Sequence, residues 1–158
     1  MLDTLEPRHV EHYERWGYCV IDELLSPTEI EEWRGAVEEA VAVQLAWSPS
    51  EREAMRRDHA CFHNQPSPGE EPGRSSEIFL QCVNLWKTTE RMRRLVLSPA
   101  LGKLAAEAAQ CDGIHLYHDH VLTKRPGAEA TNWHLDNGSD PFTSPQQVMM
   151  WLALDGKQ

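Results

Sequence analysis

Polar helix-start signals and apolar stripes with helical spacing alternate along the first part of the chain. Three Ser-Pro pairs, beginning at Ser26, Ser48 and Ser98, each place a serine where a helix N-cap would stand and a proline at the first helical position. Together with an earlier amphipathic run, these signals predict several helices. They cover residues 6–15, residues 27–47, a stretch that begins at Pro49, residues near 88–96 and residues near 99–110.

The helix after the first Ser-Pro pair has the clearest pattern. Glu29 stands three residues after the serine and completes a capping-box sequence. Apolar residues then recur at helical spacing, at Ile30, Trp33, Val37 and Val41. This stripe is expected to face the core.

Short apolar runs bounded by glycine, proline or Asn-Gly predict strands, most of them late in the chain. They are GYCVIDEL at 17–24, IFLQCVNLW at 78–86, GIHLYHDHVLTKRPG at 113–127, NWHLDNG at 132–138 and QQVMMWLALD at 146–155. Helices first and strands later is the order typical of an α+β fold. The Pro/Gly/Ser/Glu-rich segment 64–77 is predicted to be a loop, either a flexible connection or a lid over a site.

Length, charge and cysteine spacing narrow the class of protein. A chain of 158 residues fits one domain with a hydrophobic core. Its formal net charge of -10 argues against nucleic acid or an anionic membrane as the main partner. The N-terminus has no signal-peptide pattern, and no window approaches the roughly 18 apolar residues of a membrane-spanning helix. The four cysteines form no CxxC pair, so we expect a cytoplasmic protein.

The segment ATNWHLDNGSDPF, residues 130–142, carries the strongest candidate chemistry. Side chains two residues apart in a strand point to the same face, so His134 and Asp136 would stand side by side. With one distant histidine they would form the facial triad of non-haem Fe(II) oxygenases, which leaves open positions for a co-substrate and dioxygen. The tripeptide alone is more typical of a surface pair or a satisfied His–Asp hydrogen bond, and it is the surrounding sequence that favours metal binding.

Four longer segments, taken in order, resemble one known family. HYERWGYCVIDELLSPTEIEEWR is similar to its opening helix, aromatic-Gly-Tyr strand and Ser-Pro helix, and the run from LQCVNLW to TKRPG is similar to its middle. TNWHLDNG resembles its Trp-His-x-Asp metal segment, and VMMWLALD the strand that follows. The family is the phytanoyl-CoA dioxygenases, which are Fe(II)- and 2-oxoglutarate-dependent oxygenases. The resemblance implies Fe(II), 2-oxoglutarate as co-substrate, and hydroxylation of a small organic molecule.

The resemblance also implies roles for individual residues. His134 and Asp136 would be two iron ligands, and an aspartate at the second position favours hydroxylation over halogenation. Trp151 matches a tryptophan that lies beside 2-oxoglutarate, and His120 matches a position that contacts the co-substrate. Gln81, on the preceding strand, is a weaker co-substrate candidate because its register is uncertain by one residue.

Strand parity adds two residues to this predicted site. His118 and Leu122 share the parity of His120 and would face the same pocket. Two alternatives stay open. Trp151 can be read as an ordinary core residue, and His115 with the two nearby histidines can be read as a second metal cluster, although its parity differs from theirs.

The fold implied by the resemblance is α+β, with N-terminal helices packed on a partial double-stranded β-helix of the jelly-roll or cupin type. We expect residues 1–158 to be the N-terminal part of a single domain of this family, because its distal histidine and its carboxylate-binding arginine have no counterpart after Arg125. One alternative is a non-catalytic remnant that serves as a binding or oligomerisation module. Another is a homodimer completed by exchange, with His118 or His120 as a substitute ligand.

Overall fold

The structure is a computed structural model, and it describes most of the chain apart from one long and several short segments. The described residues are 1–58, 79–124, 126, 130, 133, 144 and 146–155. The predicted loop 64–77 and most of the predicted strand 132–138 therefore lie outside the described residues, and so do His134 and Asp136.

Helices dominate the described residues, and their order agrees with the sequence prediction. They are α1 (Pro7–Trp16), α2 (Pro27–Ala46), α3 (Pro49–Asp58), α4 (Glu90–Val96) and α5 (Pro99–Ala109), with a single 3-10 turn at Leu85–Lys87. The two strands are β1 (Phe79–Val83) and β2 (His120–Lys124). The described chain is thus a mixed α+β structure, and the jelly-roll packing stays a prediction.

The Ser-Pro signals begin three helices, and two of these have the predicted side-chain caps. At α2, Glu29 accepts a hydrogen bond from the backbone N–H of Ser26 at 2.9 Å, and the Ser26 hydroxyl accepts one from the N–H of Glu29 at 3.3 Å. Ser48 and Glu51 form the same reciprocal pair at α3. Ser98 makes no side-chain cap bond, and α5 begins with a backbone bond from Gly102 N–H to the Ser98 carbonyl.

The stripe predicted for α2 is rotated by one position in the structure. Trp33 is buried as expected, but Ala36 and Ala40 are the fully buried residues of the next turns, and they are followed by Gln44 at 2% exposure. Small side chains at these positions let the helix backbone come close to its neighbours. The prediction assumed that the large apolar side chains would be buried, whereas after Trp33 the structure buries the small side chains of Ala36 and Ala40.

Residues 17–24 form a loop instead of the predicted strand. Gly17 ends α1 in the left-handed conformation, with φ of 75°, and its N–H bonds to the Tyr13 carbonyl. Glu23 also has a positive φ, 54°, which interrupts any extended run. Ile21 and Leu24 nevertheless pack against the core, so the apolar pattern reports burial here and not strand pairing.

Strand predictions were also too long elsewhere. The segment 78–86 is a strand only as far as Val83, because Asn84 turns into the left-handed region with φ of 59°. Of the segment 113–127, only β2 is paired among the described residues.

The segment 146–155 was predicted to be a strand, and this prediction is wrong for these described residues. Its backbone carbonyls accept hydrogen bonds from helix side chains instead of a neighbouring strand. The Arg34 side chain donates from Nε to the Leu154 carbonyl at 2.6 Å, and the Tyr13 hydroxyl lies 3.5 Å from the Gln147 carbonyl. The segment is therefore attached to α1 and α2 through side chains.

The described residues divide into two compact units. The first contains Met1–Gly35, Arg94–Leu116 and Leu135–Gln158, and the second contains Ala36–Arg93 and Tyr117–His134. In the first unit, the core is the cluster of Leu5, Leu104 and Ala108. This cluster is flanked by half-buried apolar side chains, namely Val10, Tyr13, Ile21, Leu24 and Met150.

The second unit contains the sheet. Strands β1 and β2 pair antiparallel, from Phe79 opposite Lys124 to Val83 opposite His120. Cys82 and Val83 on β1 are 2% exposed, and Leu85, which follows, is fully buried. The end of β1 is therefore the most buried part of the sheet.

Truncation of Leu104 tests the core of the first unit. Leu104→Ala is expected to lower the free energy of unfolding by about 2–5 kcal/mol, because it removes buried methyl groups and leaves a cavity. The matched control is Leu97→Ala, whose side chain is 43% exposed and whose loss is expected to cost less than about 1 kcal/mol. Urea denaturation followed by circular dichroism measures both, and equal losses would contradict this packing.

Candidate functional site

One face of the β1–β2 ladder brings together three residues that the sequence analysis selected. Gln81 is directly opposite Leu122, and His120 is opposite Val83, two positions along. Directly opposed residues of an antiparallel pair point to the same face, and so do residues two apart. Gln81, His120 and Leu122 therefore share one face, and the co-substrate role of Gln81 stays a prediction.

On this face the β2 side chains are exposed, whereas those of β1 are more buried. Leu122 is 39% exposed and His120 is exposed, whereas Gln81 is half-buried. An amide, an imidazole and an apolar side chain are thus presented next to one another, with cross-strand Cβ separations of about 5 Å in such pairs. These groups can donate hydrogen bonds to a small anion and make apolar contact with its carbon chain.

His118 adds a second imidazole just before β2. Its ring lies 4.7 Å from the Tyr117 ring and 6.1 Å from the His120 ring, both measured between centroids. Its Nδ1 atom is buried and has no hydrogen-bond partner among the described residues. Because an unpaired buried polar atom costs about 1–3 kcal/mol, this nitrogen is suited to a ligand or water that completes its bonding.

Asp119, between the two histidines, ties β2 to the turn that follows β1. Its carboxylate accepts hydrogen bonds from the backbone N–H groups of Leu85 at 3.1 Å and Trp86 at 3.0 Å. Its backbone carbonyl accepts a third from Asn84 N–H at 2.9 Å. Three consecutive backbone donors after β1 are therefore bound by one residue.

Burial raises the pKa values of two neighbouring groups, the Asp119 carboxyl and the Cys82 thiol. Burial raises the pKa of the Asp119 carboxyl, although the N–H groups of Trp86 and Leu85 and the nearby His118 favour its charged form. Burial, together with the negative charge of Asp119, raises the pKa of the Cys82 thiol to about 11. Cys82 is thus a neutral, buried thiol at neutral pH.

Gln44 of α2 supports the same end of the sheet. Its side-chain nitrogen Nε2 donates to the carbonyl oxygen of Val83 at 2.9 Å, and both residues are about 2% exposed. A buried amide that bonds a strand carbonyl satisfies two polar groups at once. The bond joins α2 to the last residue of β1.

Sequence reasoning missed Gln44 and Asp119, and each left a signal. Gln44 is a polar residue at the spacing of the buried face of α2, where a lone amide needs an internal partner. Asp119 lies between two histidines of equal strand parity, so its carboxylate had to point to the opposite, inner side.

Trp151 belongs to the first unit, and its side chain is 74% exposed. The alternative that it is an ordinary core residue is therefore wrong. The neighbouring Met150 is the residue that packs against the core cluster. The role of Trp151 beside 2-oxoglutarate stays a prediction.

The predicted iron ligands His134 and Asp136 lie outside the described residues, and Trp133 beside them is fully exposed. Within the described part of the chain, no group of three or more His, Cys, Asp or Glu side chains is arranged to hold a metal ion. This argues against the alternative second metal cluster, and the exposed His115 is not grouped with the two later histidines.

The donors of the β1–β2 face suit 2-oxoglutarate, the co-substrate implied by the resemblance. A keto acid with two carboxylates needs hydrogen-bond donors, and the imidazole of His120 and the amide of Gln81 can supply them.

The described residues thus form an α+β structure in which an antiparallel strand pair carries an amide, an imidazole and an apolar side chain on one face. In a comparison with models of protein families, the model described as phytanoyl-CoA dioxygenase (PhyH) matches residues 13–156. The chain therefore belongs to the phytanoyl-CoA dioxygenase family, whose members are oxygenases of the Fe(II)- and 2-oxoglutarate-dependent type.

Other comparisons add no relative. No curated protein and no solved structure matches the chain. Among the described helices, none has the length and apolar character needed to cross a membrane.

Thiol labelling tests the buried environment of Cys82. With a pKa of about 11, its thiolate fraction at pH 8 is roughly one in a thousand, and burial restricts access further. We expect iodoacetamide to label Cys82 at least about 100-fold more slowly in the folded protein than in urea. Peptide mass spectrometry measures both rates, and similar rates would show that the sheet end is open.

Proposed function

We propose that the chain provides the iron- and co-substrate-binding part of an oxygenase that hydroxylates a small organic molecule. Family membership over residues 13–156 is the observation that carries this proposal. The shared face of Gln81, His120 and Leu122 supports it, because its groups suit a carboxylate-bearing co-substrate.

His134 and Asp136 are the residues that we propose hold Fe(II). Imidazole and carboxylate are the ligand types of the facial triad, and an acidic second ligand favours hydroxylation over halogenation. When bound, Fe(II) would supply the chemistry by which one atom of dioxygen enters a substrate C–H bond as hydroxyl and the other is taken up as 2-oxoglutarate is oxidised to succinate and carbon dioxide. The third ligand is not assigned to a residue of this chain.

The sheet face positions the co-substrate in this proposal. His120 and Gln81 contact 2-oxoglutarate, and the resemblance gives Trp151 a co-substrate role as well. His118 and Leu122 line the adjoining substrate pocket, where Leu122 excludes water from the reacting carbon and the free Nδ1 of His118 bonds a polar group of the substrate.

The substrate class follows from charge. A net charge of -10 disfavours polyanions such as nucleic acid, and we identify no basic groove for the phosphates of a coenzyme A thioester. A small neutral or cationic molecule fits better. The proposed location is the cytoplasm, where the cysteines stay reduced.

A second candidate function is a non-catalytic binding or oligomerisation module, including a homodimer completed by exchange. Large apolar side chains that are exposed in the described residues favour it, among them Trp133 at 104%, Trp151 at 74% and Met149 at 64%. Sedimentation analysis separates these functions: a stable dimer without iron binding supports the module, and a monomer that binds iron contradicts it.

Iron binding tests the proposed ligands. Anaerobic addition of Fe(II) with 2-oxoglutarate is expected to give a visible charge-transfer absorbance. His134→Ala is expected to weaken iron binding by at least roughly 10-fold, since even the loss of outer-sphere partners costs that much. His115→Ala is the matched control, because His115 is exposed and lies outside the proposed site. Unchanged binding in His134→Ala contradicts the ligand assignment, and a silent wild-type protein contradicts the oxygenase function.

Co-substrate affinity tests the sheet face. His120→Ala is expected to raise the dissociation constant of 2-oxoglutarate by about 10- to 100-fold, the cost of about one hydrogen bond to a charged group. Calorimetric titration with Fe(II) present measures this constant. His115→Ala again serves as the control, and equal constants for the wild type and His120→Ala would remove His120 from the site.

A further inference from the structure

We propose that Asp119 is a positioning residue, which fixes where His118 and His120 stand at the start of β2 by binding the turn that follows β1. The inference rests on the proposed function for what the two imidazoles bind. How they are held is a separate question, which the structure addresses directly.

The clamp consists of three hydrogen bonds to one residue. The Asp119 carbonyl accepts from Asn84 N–H at 2.9 Å, and its carboxylate oxygens accept from Leu85 at 3.1 Å and Trp86 at 3.0 Å. These bonds continue the β1–β2 pairing one residue beyond Val83 and His120, the last pair of the ladder. Asp119 therefore closes the end of the sheet at which both histidines lie.

The turn bound by Asp119 has a conformation that needs such support. Asn84 is in the left-handed region with φ of 59°, which non-glycine residues adopt infrequently. Its side-chain oxygen accepts a hydrogen bond from the Trp86 indole Nε1 at 3.2 Å, and Leu85 is fully buried. The turn is thus fixed by bonds on both its backbone and its side chains.

Because side chains alternate along an extended chain, fixing the direction of the Asp119 side chain also fixes the directions of His118 and His120. Residues next to one another in an extended chain point to opposite sides, so a carboxylate fixed inward sends both neighbouring imidazoles to the other side. Two observations support the inward direction. Asp119 acts electrostatically on Cys82, which is buried on the sheet face opposite His120, and the carboxylate reaches the buried Leu85.

Loss of the carboxylate is expected to release the start of β2. Leu85 and Trp86 N–H groups would need new acceptors, and the backbone on either side of Asp119 would gain freedom. Both imidazoles would then sample several orientations, which weakens co-substrate binding without removing any group that touches the ligand.

The competing explanation is that Asp119 serves only stability. Gln44 offers a matched control, since it also makes a buried hydrogen bond at the same end of the sheet, but to the carbonyl of Val83 on β1 and not to the residue between the two histidines. Gln44→Met removes that bond and keeps the side-chain length. Asp119→Asn keeps the size of Asp119 and one acceptor oxygen, so one of the two N–H bonds can persist.

The experiment compares wild type, Asp119→Asn and Gln44→Met in the full chain. Calorimetry with Fe(II) gives the 2-oxoglutarate dissociation constant, and NMR of the imidazole C–H groups reports the environments of His118 and His120. We expect Asp119→Asn to raise the constant at least about 10-fold and to shift or broaden both imidazole signals. Gln44→Met is expected to change the constant less than about 3-fold and to leave the signals in place.

The results distinguish a positioning role of Asp119 from a purely stabilising one. Equal effects of the two variants on affinity and on the imidazole signals would overturn the positioning role and leave a stability role. If wild type binds no 2-oxoglutarate, the proposed function fails, and the imidazole signals alone still decide the role of Asp119.

A measurement on wild type covers the case in which Asp119→Asn does not fold. Hydrogen exchange of the Leu85 and Trp86 amides is expected to be as slow as that of the β1–β2 ladder amides. Exchange as fast as at the exposed Leu116 would show that the clamp is absent and would overturn the proposal.

Discussion

The rest of the described site depends on the hydrogen bonds between Asp119 and the three backbone N–H groups that follow β1. Burying a carboxylate in an apolar setting is costly unless donors surround it, and here the donors come from a turn that would otherwise leave its own N–H groups unpaired. Each partner thus compensates the burial of the other. The bond from Gln44 to Val83 supplies a second attachment at the same end of the sheet, from α2.

Local sequence signals predicted the helices well because caps act over a few residues. The Ser-Pro pairs marked where α2 and α3 begin, and the capping box predicted from Glu29 is present. The structure adds the same reciprocal bonds between Ser48 and Glu51. Strands depend on partners distant in the chain, so alternation alone overestimated them. Residues 17–24 show the apolar pattern but pack as a loop, and 146–155 bonds to the side chains of Arg34 and Tyr13.

Strand parity, the alternation of side chains between the two faces of a strand, made part of the candidate site predictable. Parity placed His118, His120 and Leu122 together from sequence, and the register added Gln81 to the face of the last two. Asp119 was hidden because its partners, the Leu85 and Trp86 amides, are 34 and 33 residues away and carry no side-chain signal. The assignment of His134 and Asp136 to iron rests on the resemblance and the family match, so it remains a proposal.

The central claim is that the β1–β2 face of a phytanoyl-CoA dioxygenase family protein receives 2-oxoglutarate. The most direct measurement is an NMR titration of the wild-type chain with 2-oxoglutarate in the presence of Zn²⁺, a diamagnetic substitute for Fe(II). The largest shifts are expected at the side chains of Gln81 and His120. Shifts confined to the opposite sheet face, at Cys82 and Val121, or no shifts in either strand, would contradict the claim.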